Sequence, residues 1–351
     1  MLANQPPAGL IYFFLLNSRL KMIFKDKQSP LSSHPYRLLV AFMNFQQLRI
    51  IRETVRQDFN LTAASNALHT SQSGVSKHIR DLEEELGVQL FIRKGKRLLG
   101  LTDAGQGLAK IVERMLNDAS NLKQLADEFS QADQGTLTIA TTHTQARYVL
   151  PPIVARFKAA FPKVHLILQQ ASPVEVTDLL LRGDADIGIA TESLSGEADL
   201  LGLPYYQWQH SMIVPKGHPL AQYQTITLAE LAKWPLITYH GGFTGRSKID
   251  AAFGQAGLNP DIVLSALDAD VIKTYVELGM GVGIVASTAF DAERDRRLVQ
   301  LNSDLFGINT TWIAIRRGHL LRGFAYEFAA LCSAQLDLTA LKQAAYEMTN
   351  A

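Results

Sequence analysis

Two groups of polar residues in this chain are spaced for chemistry. In residues 61–86, LTAASNALHTSQSGVSKHIRDLEEEL, the side chains of Gln72, Ser73, Ser76, Lys77 and Arg80 follow Ser71 on one face of a helix. The opposite face carries Val75, Ile79, Leu82 and Leu86 at spacings of four, three and four, the period of a helix that buries one stripe. Amides, hydroxyls and cationic ends of this length reach base edges and phosphates in a DNA groove. The acidic residues Asp81, Glu83, Glu84 and Glu85 come later, where such a helix leaves the phosphates. Arg93, Lys94, Lys96 and Arg97 then form a basic turn placed to grip phosphate, and each phosphate neutralised steepens the salt dependence of binding. An ordinary helical hairpin with a solvated face shares this polarity. Here polarity, small-residue packing and a turn coincide at one place, which favours DNA reading.

The second group is Thr141, Thr142, His143, Thr144 and Gln145, between an expected strand and an expected helix. Ligands of open α/β sheets sit at the carboxyl ends of strands, near helix N-termini. Free backbone N–H groups there attract anions, and hydroxyls and an amide add neutral donors. Thr191 ends another strand, and Thr244 begins a helix further along. Serine and threonine also cap helices, so these residues alone fit a binding pocket and a set of caps equally well. His143 lacks a carboxylate or nucleophile near it in sequence, which points to an orienting or structural role. Lys273 and Tyr275 line either the cleft or the outer face of a helix. The chain offers no nucleophile–base pair, metal-ligand cluster or glycine-rich phosphate loop, so no enzyme, cofactor or metal is expected. Its one cysteine, Cys332, excludes an intrachain disulfide, and its place in a helical run suggests a buried structural thiol in a reducing cytoplasm.

The elements that hold these residues follow from the pattern. A length of 351 residues allows two or three domains, and 47% hydrophobic residues are enough for real cores. The formal net charge of +1 means that any nucleic-acid surface is local, and residues 43–100 hold nine Lys/Arg against six Asp/Glu. Phe45, Leu48, Ile51 and Val55 mark the inner face of a first helix. Leu61, Ala64, Ala67 and Leu68 mark a second, with Ala63, Ala64 and Ala67 small enough for close approach. Ser71 is an N-cap for the third helix and Gly87 its terminator. Residues 89–92 and 98–101 read as two short strands around the basic turn, a wing. From Thr102 to about Ser130 a long helix carries Leu108, Val112, Met115, Ala119, Leu122, Ala126 and Phe129 at heptad spacing, a coiled-coil seam.

Residues 131–135 form a linker. Beyond it strands (136–140, 164–170, 187–190) alternate with helices (146–161, 174–181), implying a parallel sheet covered on both faces. A second unit begins with a strand at 207–214. It contains elements at 228–231, 236–239, 245–256, 262–265, 269–278 and 282–286, and residues 310–315 and 323–336 return to the first unit. Two α/β lobes joined by two crossings make a hinged sensor with a cleft. Residues 1–42 differ from the rest. Their apolar run at 8–16 is too short for a bilayer span, and the basic residues follow it, unlike a signal peptide. They are expected to be a non-native or disordered extension, with Met43 as the natural start.

The head resembles the winged helix-turn-helix of LysR-type transcriptional regulators. The resemblance rests on Ala64-Ser65, Leu68, Ser71-Gln72, Val75-Ser76, Ile79, Leu82-Glu83, Leu86-Gly87, Leu90-Phe91 and Arg93, with Ala more usual than Ser65 in that family. Residues 141–148 (TTHTQARY), 243–247 (FTGRS) and 268–286 (DADVIKTYVELGMGVGIVA) are similar to its CysB/Cbl-like subfamily. The similarity implies a winged helix-turn-helix head over 43–101 and a dimerising linker helix over 102–130. It also implies a two-lobed, periplasmic-binding-protein-like effector domain over 135–340, with lobe I at about 135–205 and 309–340 and lobe II at about 206–308. It implies a cytoplasmic homo-oligomer, a dimer of dimers, that binds promoter DNA through Ser71, Gln72, Ser73, Ser76, Lys77, Arg80 and the basic turn, and that contacts RNA polymerase. A small effector such as sulfate, N-acetylserine or O-acetylserine is held by Thr142, Thr144, Gln145, Thr191 and Thr244, and genes of sulfur assimilation and cysteine biosynthesis are controlled. The alternative within the family is a regulator of sulfonate or sulfate-ester use that senses adenosine phosphosulfate. Outside it, the same lobes could serve an anion-binding or transport-type solute-binding protein.

Overall fold

The computed structural model describes residues 43–130, 133–302, 304–333 and 335–344. The extension expected at 1–42 and part of the linker expected at 131–135 lie outside the described residues. The chain forms two compact units that meet in sequence at Gly105 and Gln106.

The first unit is three helices and a two-stranded wing. Helix α1 (Phe45–Arg56) starts with a capping box between Asn44 and Gln47, and α2 (Leu61–Ala67) starts at Asn60, whose side chain accepts from two backbone N–H groups. Helix α3 (Gln72–Leu86) begins at Ser71, which accepts from the N–H of Gly74, and ends at Gly87 with φ +69°, as expected for a residue free of a Cβ clash. Val75, Ile79 and Leu82 are buried. Leu86 is not: at the last turn the helix has run past its neighbours. Phe45 is also misplaced by the pattern, being 52% exposed, while Gln47, Ile50 and Thr54 join Leu48 and Ile51 inside. The same holds for α2, where Ser65 is buried and Ala67 is exposed, because the Ser65 hydroxyl bonds to Thr62 O and can enter without a polar penalty. Strands β1 (Phe91–Lys94) and β2 (Arg97–Leu101) pair antiparallel, with Lys94 opposite Arg97 at the tip.

Helix α4 (Asp103–Ser130) opens the second unit. Its expected seam divides. Val112 is buried, whereas Leu122 is 70% and Phe129 86% exposed, with Leu125 partly exposed beside them. A different, polar face ties the helix to its own unit. Asn117 and Asn121 donate to Gly318 O, Asn121 accepts from Leu320 N at 2.9 Å, and Glu113 pairs with Arg316 at 3.1 Å.

The remainder is two lobes on one continuous sheet. The strands are β3 (Gly135–Thr141), β4 (Val164–Gln170), β5 (Ile187–Ala190), β6 (Leu200–Pro215), β7 (Leu236–Tyr239), β8 (Ile262–Ala266), β9 (Val282–Ala286), β10 (Leu298–Asn302) and β11 (Ile308–Arg316). Their order is β4-β3-β5-β11-β6-β9-β7-β8, with β10 also on β6. The expected all-parallel sheet is therefore mixed. β3, β4 and β5 are parallel, as are β7, β8 and β9, but β6 and β11 run antiparallel to their neighbours. β6 is also longer than expected. Its residues 200–209 pair with β11 in lobe I and 210–213 with β9 in lobe II.

Helices cover both faces of each lobe. In lobe I, α5 (Pro151–Ala160), α10 (Gly323–Cys332) and α11 (Leu338–Ala344) pack Phe157, Phe324, Phe328 and Leu341 on one face, and α6 (Pro173–Arg182) packs Val176 and Leu180 on the other. In lobe II, the short α7 (Leu228–Leu231) precedes β7, and α8 (Arg246–Gln255) and α9 (Ala269–Glu277) take opposite faces. The helix expected at 146–161 is two pieces. A π-turn spans Gln145–Val149, and α5 restarts with Pro151 and Pro152 in its first turn, because proline donates no backbone N–H and disfavours helix before it. Cys332 is half-buried, and burial pushes its thiol up to about 12, which leaves it inert at neutral pH.

Truncating Ile79→Ala empties volume beneath α3. A loss of about 2–5 kcal/mol is expected for the first unit, read as faster amide exchange in α2 and α3 with α10 unaffected.

Candidate functional site

On the first unit, Ser71, Gln72, Ser73, Lys77 and Arg80 are exposed and Ser76 is half-buried, all along the outer face of α3. Lys94, Lys96 and Arg97 are exposed at the wing tip. A groove of about 540 Å³ lies between wing and α2, lined in part by Arg56, Gln72, Lys96 and Arg97. Arg93 has a different position from its neighbours. It pairs with Glu83 at 2.7 Å, and the same carboxylate accepts from Leu90 N and Phe91 N. Glu83 thus clamps the wing to α3, so that one rigid body presents both the helix face and the basic tip.

On the second unit, the threonine-rich turn after β3 packs where β6 and β11 cross between lobes. Thr142, Thr144, Gln145 and Thr244 are buried, and Thr191 is half-buried. Thr144 Oγ1 of lobe I lies 3.5 Å from Thr244 Oγ1 of lobe II. Gln145 and Thr191 meet instead at Thr311 of β11: Gln145 Nε2 donates at 3.4 Å, and the Thr191 and Thr311 hydroxyls are 3.3 Å apart. Thr142 shares the turn but makes no side-chain hydrogen bond to the other four among the described residues.

The protons in this network can be placed. Thr311 Oγ1 accepts from Trp208 Nε1 at 3.0 Å as well as from Gln145, which uses both its lone pairs. Its own proton is then left for Thr191 or Tyr206. Gln145 Oε1 accepts from Tyr206 at 2.8 Å, which fixes its amide orientation. Burial pushes His210 down to about 4, so it is neutral. Its Nε2 faces Thr244 O at 2.9 Å and must carry the proton, while Nδ1 accepts from Asn309 at 3.4 Å.

That histidine helps hold a strained turn. Thr244 has φ +44°, costly for a β-branched residue, and Gly245 follows at φ +69°. A Cβ on Gly245 would stand 2.5 Å from Asn309 Oδ1 and 2.8 Å from the His210 ring. The turn aims the Thr244 hydroxyl across the cleft.

Tyr206, Trp208, His210, Asn309 and Thr311 were not among the residues singled out from the sequence. Their signal was a period of two: 206, 208 and 210 share one face of β6, and 309 and 311 one face of β11, with Thr311 opposite Tyr206 and Asn309 opposite Trp208. Glu192 was also missed, and its carboxylate accepts from Gly245 N. His143 does meet a carboxylate, Asp270, but at 4.0 Å, and Asp270 is engaged with Arg147, Lys273 and the Tyr148 hydroxyl. Those neighbours hold Asp270 below the usual carboxylate range despite its burial. His143, Asp268 and Asp270 could surround an ion by distance alone, yet Asp268 caps α9 and Asp270 already carries two cations. Lys273 lines neither outer face nor threonine cluster. It is buried against Asp295 at 3.1 Å.

The comparisons agree with this architecture. Residues 45–106 match the model for the bacterial regulatory helix-turn-helix protein, lysR family, and residues 130–337 match that for the LysR substrate binding domain. The chain is 55% identical over 306 residues to the HTH-type transcriptional regulator cbl of Klebsiella aerogenes, covering 87% of this chain and 97% of that one. It is 51% identical over 304 residues to the HTH-type transcriptional regulator CysB of Burkholderia cenocepacia, covering 86% and 97%. The crystal structure of the cofactor-binding domain of the Cbl transcriptional regulator aligns with a TM-score of 0.59 at 49% identity, covering 61% of this chain and 95% of that one.

Thr311→Val keeps shape and removes the shared hydroxyl. Trp208 Nε1 is then buried without a partner, and a loss of about 1–3 kcal/mol is expected in denaturant unfolding of the second unit.

Proposed function

The chain belongs to the LysR family of transcriptional regulators, and we propose that it controls genes of sulfur assimilation and cysteine biosynthesis through a small sulfur-pathway metabolite, anionic or of the acetylserine type, held between its lobes. The observation that carries this reading is the pairing of Thr144 with Thr244 across the cleft, in a pocket of hydroxyls and amides. Neutral donors bind an anion without a fixed counter-charge, so the guest can leave when its concentration falls. Sulfate, N-acetylserine and O-acetylserine are the candidate effectors, held by Thr142, Thr144, Gln145, Thr191 and Thr244. Ligand contacts to both lobes stabilise one lobe geometry over another, and DNA must alter effector affinity by the same factor as effector alters DNA affinity.

Promoter DNA is the macromolecular partner. Gln72, Ser73, Ser76 and Lys77 read base edges, while Arg80, Lys94, Lys96 and Arg97 neutralise phosphates. The uncovered Leu122 and Phe129 on α4 suit a second copy of the same helix, which sets two reading heads at a fixed spacing. No described helix is long and apolar enough to cross a membrane.

Replacing Lys77 or Arg80 with Ala should weaken binding to DNA upstream of sulfur-assimilation genes, and loss of a phosphate contact should lower the salt slope by about 0.9. Effector affinity should not change, and unaltered operator affinity would count against the assignment of the head. Thr142→Ala or Thr244→Ala should cost about 1.5–3 kcal/mol in sulfate binding by calorimetry. Charging the helix stripe, Leu122→Glu with Phe129→Glu, should lower the mass in light scattering; an unchanged oligomer would remove α4 from the interface.

A further inference from the structure

The cleft contains one ionisable side chain with no part in the reading above. Glu192 follows Thr191 at the end of β5 in lobe I and reaches lobe II, where its Oε1 accepts from the N–H of Gly245, the N-cap of α8. Its second oxygen, Oε2, is buried and has no hydrogen-bond partner. Gly245 adjoins Thr244, whose hydroxyl faces Thr144. A carboxylate of the protein therefore already holds the helix end beside the hydroxyls assigned to the effector. An ionised carboxylate only accepts hydrogen bonds, and so does a fully ionised oxyanion. Two such acceptors repel unless a proton lies between them.

We propose that Glu192 is a specificity-determining residue of the effector cleft: it admits an anion only when one proton is shared between the guest and Oε2. The proton comes from the guest, as an amide N–H or a hydroxyl, or it comes from Glu192 itself. An N-acylated amino acid carries both a negative charge and such a donor. Sulfate carries none and must wait for Glu192 to be protonated. Burial raises the Glu192 pKa, against the opposing pull of the Gly245 N–H and of its own backbone N–H. The charged and titratable groups on the elements that meet here have other engagements. On α8, Arg246 pairs with Asp250 and donates to Tyr239 O, and Lys248 donates to Ile308 O. On β6, His210 is neutral, and on the turn after β3, His143 lies against Asp270.

This inference rests on the effector-site reading, and one experiment separates the two. The full chain, wild type, Glu192→Gln and Thr142→Ala, is titrated by calorimetry with sulfate and with N-acetylserine from about pH 5.5 to 8.5, where both probes keep a constant charge. Wild-type affinity for sulfate should fall by about tenfold per pH unit above the Glu192 pKa, with about one proton taken up per sulfate bound. Glu192→Gln keeps an acceptor for Gly245 N–H but no charge. It should bind sulfate about tenfold or more tighter at the alkaline end, with a flat profile. N-acetylserine affinity should be flat in the wild type. Parallel sulfate profiles for wild type and Glu192→Gln overturn the inference. If Thr142→Ala weakens sulfate binding in that case, the effector site stands without it; if Thr142→Ala also changes nothing, the site itself is wrong.

Discussion

The antiparallel pairing of β6 with β11 is the constraint on which the second unit depends. β6 runs from lobe I into lobe II, and its ladder with β11 runs from Ile308 opposite Gln209 to Arg316 opposite Leu200. Every residue that brings the threonine turn into register is placed by it. Thr311, Trp208 and Tyr206 meet across the ladder and fix Gln145, while Asn309, opposite Trp208, and His210, just beyond the ladder, hold the turn that carries Thr244. Gln145, Thr191 and Thr244 are thus held against these two strands.

The side chains proposed to hold the effector, Thr142, Thr144, Gln145, Thr191 and Thr244, are all neutral. Thr144 faces Thr244, and Gln145 and Thr191 meet at Thr311. This differs from the surface of the first unit, where Lys77, Arg80, Lys94, Lys96 and Arg97 are exposed. Neutral donors suit a guest that must be released, and fixed positive charge suits a polyanion whose counterions are driven off by binding.

Much of this was legible in the residues. Ser71 and Gly87 bounded the reading helix because capping is a local property, settled within four residues. The threonine turn stood out because five polar side chains follow one another between a strand and a helix. What could not be read depended on distant partners. Thr311 reaches Gln145 across 166 residues of sequence. Glu192 is an unremarked acid until Gly245 arrives from the other lobe. Phe45 and Leu86 misled because periodicity states which face of a helix is apolar and says nothing about where its neighbours stop. The all-parallel sheet failed for a related reason. The alternation of strand and helix is correct within each lobe, but the two strands that cross between lobes reverse direction.

The order in which the lobes appear along the chain has a consequence for biosynthesis. Lobe II is an uninterrupted stretch bracketed by β6 and β11, so all of its strands have been made once β11 begins. Lobe I is split. Ile313, Ile315, Phe324, Phe328 and Leu341 supply a large part of one of its cores, and they are made after lobe II. The inserted lobe can therefore acquire its core while the enclosing lobe still exposes the inner side of β3 and β5. A truncation before residue 313 would remove that part of the lobe I core and leave the inner side of its sheet bare.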